Sequence, residues 1–174
     1  AAGVGALRTE LVSRLVSACC APLAHTRSIP SSYRLTNRAL PTKPSFFIAD
    51  VFKPLTAFLE ANRARLDGAG TDWALAVGSA VTKHYLGLAS GLVDAVRKSE
   101  GALKRMKGED AEGGSEAPVV SDSDKICVQL FLDVGAFASS LGALGVESSS
   151  VEALPSLQQT VRPPPALLSA VLRG

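Results

Sequence analysis

The chain is poor in aromatic residues: one Trp, two Tyr and six Phe make up 5% of its 174 positions. A sandwich or barrel of this length draws more heavily on aromatic and β-branched side chains, so the shortage argues against a β fold. Histidine is scarcer still. His25 stands among prolines and His84 lies in a long apolar-patterned stretch. Neither has a Cys or carboxylate at metal-ligand spacing, which removes the usual zinc arrangements. The only cysteines are Cys19, Cys20 and Cys127. Adjacent cysteines rarely pair, and the odd count points to free thiols in a reducing compartment. Charge of one sign is also lacking. The formal net charge is +2, so there is no global signal for nucleic acid. No apolar run reaches the ~18 residues of a membrane span. The stretch from Ala74 to Val93 comes nearest, and it contains Lys83 and His84. Arg8, Glu10 and Arg14 interrupt the first apolar stretch, unlike a signal peptide. A soluble or peripheral protein is expected. A chain opening on Ala1 reads as part of a longer protein.

Catalytic patterns are missing as well. Gly3-Val4-Gly5 has neither the preceding strand nor the later glycines of a phosphate loop. Gly87-Leu88-Ala89-Ser90-Gly91 has the wrong spacing for a nucleophile elbow. No Ser stands three residues before a Lys. Residues 109–124 hold six carboxylates and no basic side chain, but on a segment whose composition cannot hold them in place. Catalytic, cofactor-binding and metal-ligating residues are therefore expected to be absent, and an enzyme is the least favoured class.

What the chain has in quantity is alanine, at 26 positions, and alanine favours helix strongly. An all-α fold is expected, an elongated bundle of four to five helices. The first helix spans 4–20 and ends before Pro22. Residues 21–44 contain Pro22, Pro30, Pro41 and Pro44 and cannot form one helix. A connector this long is expected to be docked or functional. A second helix starts at Ser45 as N-cap, kinks near Asp50 because of Pro54, and ends at Asp67–Gly70. The third is the clearest. Trp73, Val77, Val81, Tyr85, Leu88, Leu92, Val96, Leu103 and Met106 recur in steps of three or four, predicting a helix over 71–107. Ala80, Gly87 and Gly91 on a neighbouring face would let another helix approach closely. Residues 108–120 read as a disordered linker. Ser121-x-x-Asp124 resembles a capping box. It opens a helix with Ile126, Leu130, Val134, Phe137, Leu141 and Leu144 on one side, ended by Gly145. A short helix over 148–160 follows, and Pro163 to Pro165 open a tail over 162–174 expected to be poorly ordered. The organisation expected is a bundle over 1–107 with its connector, the linker, then C-terminal helices over 121–161 packed on that bundle. The third helix and the 121–144 helix are expected to bury Leu88, Leu92, Val96, Val134, Phe137 and Leu141 between them.

Charge is unevenly spread. Residues 1–53 carry seven basic side chains against Glu10 and Asp50. At the end of the third helix, Arg97, Lys98, Lys104, Arg105 and Lys107 face only Glu100. These suit a helix C-terminus, and they also suit anionic lipid or an acidic partner.

Two segments are more specific. Residues 29–45 read Ile-Pro-Ser-Ser-Tyr-Arg-Leu-Thr-Asn-Arg-Ala-Leu-Pro-Thr-Lys-Pro-Ser, and residues 121–134 read Ser-Asp-Ser-Asp-Lys-Ile-Cys-Val-Gln-Leu-Phe-Leu-Asp-Val. In order and spacing they resemble the C-terminal region of subunit 2 of the conserved oligomeric Golgi complex, over roughly residues 19 to 147. Lys53-Pro54-Leu55 and Leu103 to Lys107 also fit. Cys127 departs from the Arg of that pattern, and Phe131 from a small residue. The resemblance implies a non-catalytic helical-rod subunit of a Golgi vesicle-tethering complex. It implies partnership with other subunits in the lobe holding subunits 1, 3 and 4, contact with Golgi trafficking proteins, and peripheral association with the cytosolic face of the Golgi membrane. No cofactor and no nucleic acid are implied. A generic helical adaptor or oligomerisation module, or a binder of anionic membrane surfaces, are the alternatives. Tyr33, Arg34, Thr36, Asn37 and Arg38 in the connector, with the five cations of the third helix, are the candidate interaction residues. Tyr33 is expected to anchor the connector with help from Arg34, Thr36 and Asn37 to satisfy a turn, and Arg38 to point outward.

Overall fold

The structure, a computed structural model, describes residues 2–34, 36–107 and 120–171. Among these it is all-α. Eight α-helices and three short 3-10 segments are present, more and shorter pieces than the four to five helices expected. Three helices are long: α1 (Ala2–Cys20), α5 (Gly70–Lys107) and α6 (Asp122–Ala143). The others are α2 (Ile29–Tyr33), α3 (Lys53–Ala61), α4 (Arg63–Leu66), α7 (Ala153–Thr160) and α8 (Pro165–Val171).

Prolines set the breaks. Pro22 opens a 3-10 segment over Pro22–Ser28, and Pro30 sits in the first turn of α2, where a missing N–H costs nothing. The first half of the expected connector is thus helical, and only its second half is extended. The expected second helix is in three pieces. Phe46–Asp50 is 3-10, Pro54 falls in the first turn of α3, and Asn62 divides α3 from α4. Pro54 therefore starts a helix instead of kinking one. The chain leaves α4 through Asp67 and Gly68, both at positive φ (39° and 84°). The tail also differs from expectation: Pro163 is buried and Pro165 begins α8, which packs on α6. Residues 108–119, most of the expected linker, lie outside the described residues.

At 38 residues, α5 is about 57 Å long at 1.5 Å per residue, and the bundle is built along it. Its main neighbours are α7 and α1, with α6 a lesser one, so the expected pairing with α6 is only part of the core. Ala74, Val77, Val81, Tyr85, Ala89, Val93 and Val96 are its buried stripe. From Val77 to Val93 that stripe advances in steps of four. It leaves Leu88 and Leu92, expected at its centre, half buried on its flank. The close approach occurs at Gly78, where a Cβ would sit 2.7 Å from Leu141 Cδ2. Gly87 and Gly91 have nothing within 4 Å of that position.

The N-terminus of α6 has the expected reciprocal cap. Ser121 Oγ accepts from the Asp124 N–H at 3.1 Å, and the Ser121 N–H donates to Asp124 Oδ2 at 3.3 Å. The helix ends at Leu144, with Gly145 at φ 77°. Phe137 is its central core residue. Its ring lies 5.0 Å from Phe52 and 5.3 Å from Tyr85, tying α6 to α5 and to the turn before α3. Among the described residues, α6 and not the 74–93 stretch is the helix long and apolar enough, by length and mean hydropathy, to cross a membrane. Its Ile126, Leu130, Val134 and Leu141 are instead in the common core, and it carries a buried carboxylate at Asp133.

Candidate functional site

The strongest polar feature joins the connector to α6. Gln129 and Asp133 lie one turn apart on the face of α6 that meets the connector, and both are buried, Asp133 completely. The Tyr33 hydroxyl donates to Gln129 Oε1 at 2.7 Å. Gln129 Nε2 donates to the Lys43 carbonyl at 3.0 Å and to Asp133 Oδ1 at 2.9 Å. Asp133 also accepts the Ser45 backbone N–H at 2.6 Å and the Ser45 hydroxyl at 2.8 Å. The connector is held at both ends, by Tyr33 where α2 finishes and by Lys43–Ser45 where the next segment starts.

A buried polar cluster is stable only if its members are satisfied. Here the Asp133 carboxylate accepts three bonds. Even so, burial raises its pKa above the usual carboxylate range, with the Ser45 and Gln129 bonds pulling the other way. Burial likewise raises the Tyr33 pKa; nearby Arg38 opposes that shift and Asp133 adds to it. The Tyr85 hydroxyl is buried without a hydrogen-bond partner among the described residues. Burial, reinforced by the charge of Asp133, pushes its pKa up strongly.

The other candidate residues separate into supports and surface. Thr36 Oγ donates to the Ser32 and Tyr33 carbonyls at 3.1 and 3.0 Å and so closes the end of α2. Asn37 is exposed and makes no side-chain bond among the described residues. Arg34, expected to help anchor the connector, is exposed and unpaired among the described residues. Immediately after Tyr33 the chain turns extended, at ψ 128°, and the side chain following the anchor is left outside. Arg38, expected to point away, is exposed too, yet it is the cation that acts on Tyr33. Ser45 starts the next segment without capping it, because its hydroxyl is committed to Asp133. Arg97, Lys98 and Arg105 are exposed along the end of α5, and Lys104 and Lys107 belong to the same turns. Arg97 lies near Cys127, whose pKa is raised by burial and lowered in part by that cation. Cys19, Cys20 and Cys127 are free thiols.

Gln129 and Asp133 were not singled out in the sequence as site residues. The available signal was their i, i+4 spacing inside an otherwise apolar stripe, which places two polar groups on a face meant for burial. Among the described residues no group of three or more His, Cys, Asp or Glu comes together.

A helical bundle whose internal polar network fixes a backbone connector defines a class: an all-α structural module organised around packing. The family described as "COG complex component, COG2, C-terminal" matches residues 2–134. The chain belongs to that family. It is 32% identical over 163 residues to "Conserved oligomeric Golgi complex subunit 2" of Drosophila melanogaster, covering 89% of this chain and 23% of that protein. It is 30% identical over 165 residues to the proteins of the same name from Arabidopsis thaliana and Homo sapiens, covering 90% and 91% of this chain and 22% of each relative. The chain thus spans under a quarter of the length of these relatives. No solved structure matches it.

Proposed function

We propose that this chain is the C-terminal segment of a non-catalytic subunit in a Golgi vesicle-tethering complex, acting in intra-Golgi retrograde transport and Golgi organisation through protein–protein contacts. Family membership and the names of the relatives support the complex. The observation that carries the non-catalytic role is the junction of Tyr33, Lys43 and Ser45 with Gln129 and Asp133. The two segments most characteristic of the family meet each other and spend the side chains of Tyr33, Ser45, Gln129 and Asp133 on the fold. Its partners are the other subunits of the complex, in the lobe with subunits 1, 3 and 4, together with Golgi trafficking proteins. It associates peripherally with the cytosolic face of the Golgi membrane. The outward residues Arg34, Asn37, Arg38, Arg97, Lys98 and Arg105, together with Lys104 and Lys107 of the same turns, are the contacts offered to partners, while Tyr33 and Thr36 hold the surface in shape.

Co-purification of the full-length protein with the other subunits tests this, alongside imaging at the Golgi. Asp133→Ala is expected to lower the recovery of partner subunits and Asp133→Asn to restore it. A parent protein that neither co-purifies with those subunits nor reaches the Golgi overturns the assignment.

A further inference from the structure

The valley between α5 and the 22–28 segment is open. A groove of about 290 Å³ runs along it, lined by Leu88, Leu92, Ala95 and the bare backbone of Gly87 and Gly91, with Arg27 on the opposite wall. Leu88 and Leu92 are half buried at the edge of the core, so their outer surfaces form an apolar floor. Apart from the adjoining backbone of α5 itself, nothing in the described chain comes within 4 Å of a Cβ built on Gly87 or Gly91. The groove admits a backbone or bulky side chain that the bundle itself does not supply.

The surrounding charge is mainly positive. Arg27 forms one wall, and exposed Lys98 stands one turn past Ala95 at the end of the groove. Neither Arg27 nor Lys98 has an ion-pair partner among the described residues. Exposed His84 lies one turn before Leu88 at the other end, and exposed Asp94, one turn past Gly91, is the one carboxylate on α5 between 83 and 98. A concave apolar floor beneath a cationic rim fits a helix more readily than a lipid surface. Leucines sunk in a groove cannot reach acyl chains, which membrane-bound helices do with a protruding apolar face.

We propose that this groove docks an acidic amphipathic α-helix of another protein. The apolar side chains of that helix, at i, i+3 or i+4 and i+7, cover Leu88 and Leu92 and seat against Gly87 and Gly91. Its flanking carboxylates pair with Arg27 on one side and Lys98 on the other, which sets orientation and speeds encounter. This is independent of the Golgi assignment, because it rests on the groove and its rim alone.

The test uses the full-length protein and two synthetic helical peptides of about 18 residues, each with Leu and Ala along one face. One carries Glu on the flanks of that face and the other Lys. Fluorescence anisotropy at low salt is expected to show binding of the Glu peptide and at least ~10-fold weaker binding of the Lys peptide, since exposed charges act within a Debye length. Gly91→Leu fills the groove in open space and is expected to keep the thermal melt while weakening Glu-peptide binding at least ~10-fold. Arg27→Glu combined with Lys98→Glu does the same from the rim, and serves as the check if Gly91→Leu disturbs folding. Absence of Glu-peptide binding, equal binding of both peptides, or indifference to the Gly91 and charge-reversal variants overturns the proposal. So does loss of binding to phosphatidylserine vesicles on Gly91→Leu with peptide binding unchanged, which reassigns the face to a membrane.

Discussion

Asp133 shows how a single side chain can hold two segments 88 positions apart in sequence, through its bonds to Ser45. Asp133→Ala leaves the Ser45 N–H and a Gln129 N–H without an acceptor, at about 1–3 kcal/mol for each bond left unmade; urea melts of the purified protein measure this. Asp133→Asn keeps an acceptor for both N–H groups and offers a donor to the Ser45 hydroxyl, so the connector stays docked. The two residues differ in pH dependence. Burial raises the folded pKa of Asp133, so the folded state holds its proton more readily than the unfolded chain does. Its ionisation therefore costs stability at neutral pH, and that cost fades as the pH falls through the raised folded value towards the ordinary carboxylate range. Melts of parent and Asp133→Asn at neutral and mildly acidic pH are expected to differ most at neutral pH, with the variant gaining, and to converge in acid. A gap that widens in acid contradicts this sign. Tyr85 makes the opposite case. Its hydroxyl is buried without a partner among the described residues, so Tyr85→Phe removes a desolvated polar group while keeping the ring against Phe137. The expected result is an unchanged or raised melting temperature, with a gain of up to about 1 kcal/mol.

Among the helices, packing decides more than propensity. Gly78 is the one described glycine where a Cβ falls under 3 Å from a neighbour, the Leu141 side chain. Leu141 is itself 1% exposed and has little room to yield. Gly78→Ala is expected to cost about 1–2 kcal/mol despite alanine's higher helix propensity, whereas Gly87→Ala on the open face gains up to about 1 kcal/mol. Paired thermal melts separate these. The same contrast holds for core truncations. Phe137→Ala falls at the meeting point of α5, α6 and the turn before α3, and costs about 3–5 kcal/mol. Leu92→Ala, at the half-buried flank, costs less than the 2–5 kcal/mol typical of a core leucine. The helix boundaries at Cys20, Ser121 and Gly145 were legible because Pro, a capping pair and a left-handed glycine act locally. Leu88 and Leu92 were misplaced because the three-or-four spacing fits two adjacent faces equally well. Which face turns inward depends on where α1 and α7 stand.

For the whole molecule, the extended connector behaves as part of the core. Tyr33→Ala removes a buried ring together with its bond to Gln129, and is expected to cost about 3–5 kcal/mol in a single cooperative transition. Arg38→Ala, at an exposed position, changes stability by no more than about 0.5 kcal/mol. A Tyr33→Ala protein that melts like the parent removes the connector from the core. The sequence by itself determined the all-α class, through high alanine, few aromatics and apolar residues at helical spacing. It also determined the long third helix, the cap at Ser121 and the family, because all of these are written in neighbouring residues. Only the tertiary structure decided that Gln129 and Asp133 face the connector, that Arg34 is left outside, and that the glycines at 87 and 91 line an open groove. Each of these depends on segments remote in the chain. Hydrogen bonds and close packing act over a few ångströms of space, and spacing along a sequence does not report which distant residues will share it.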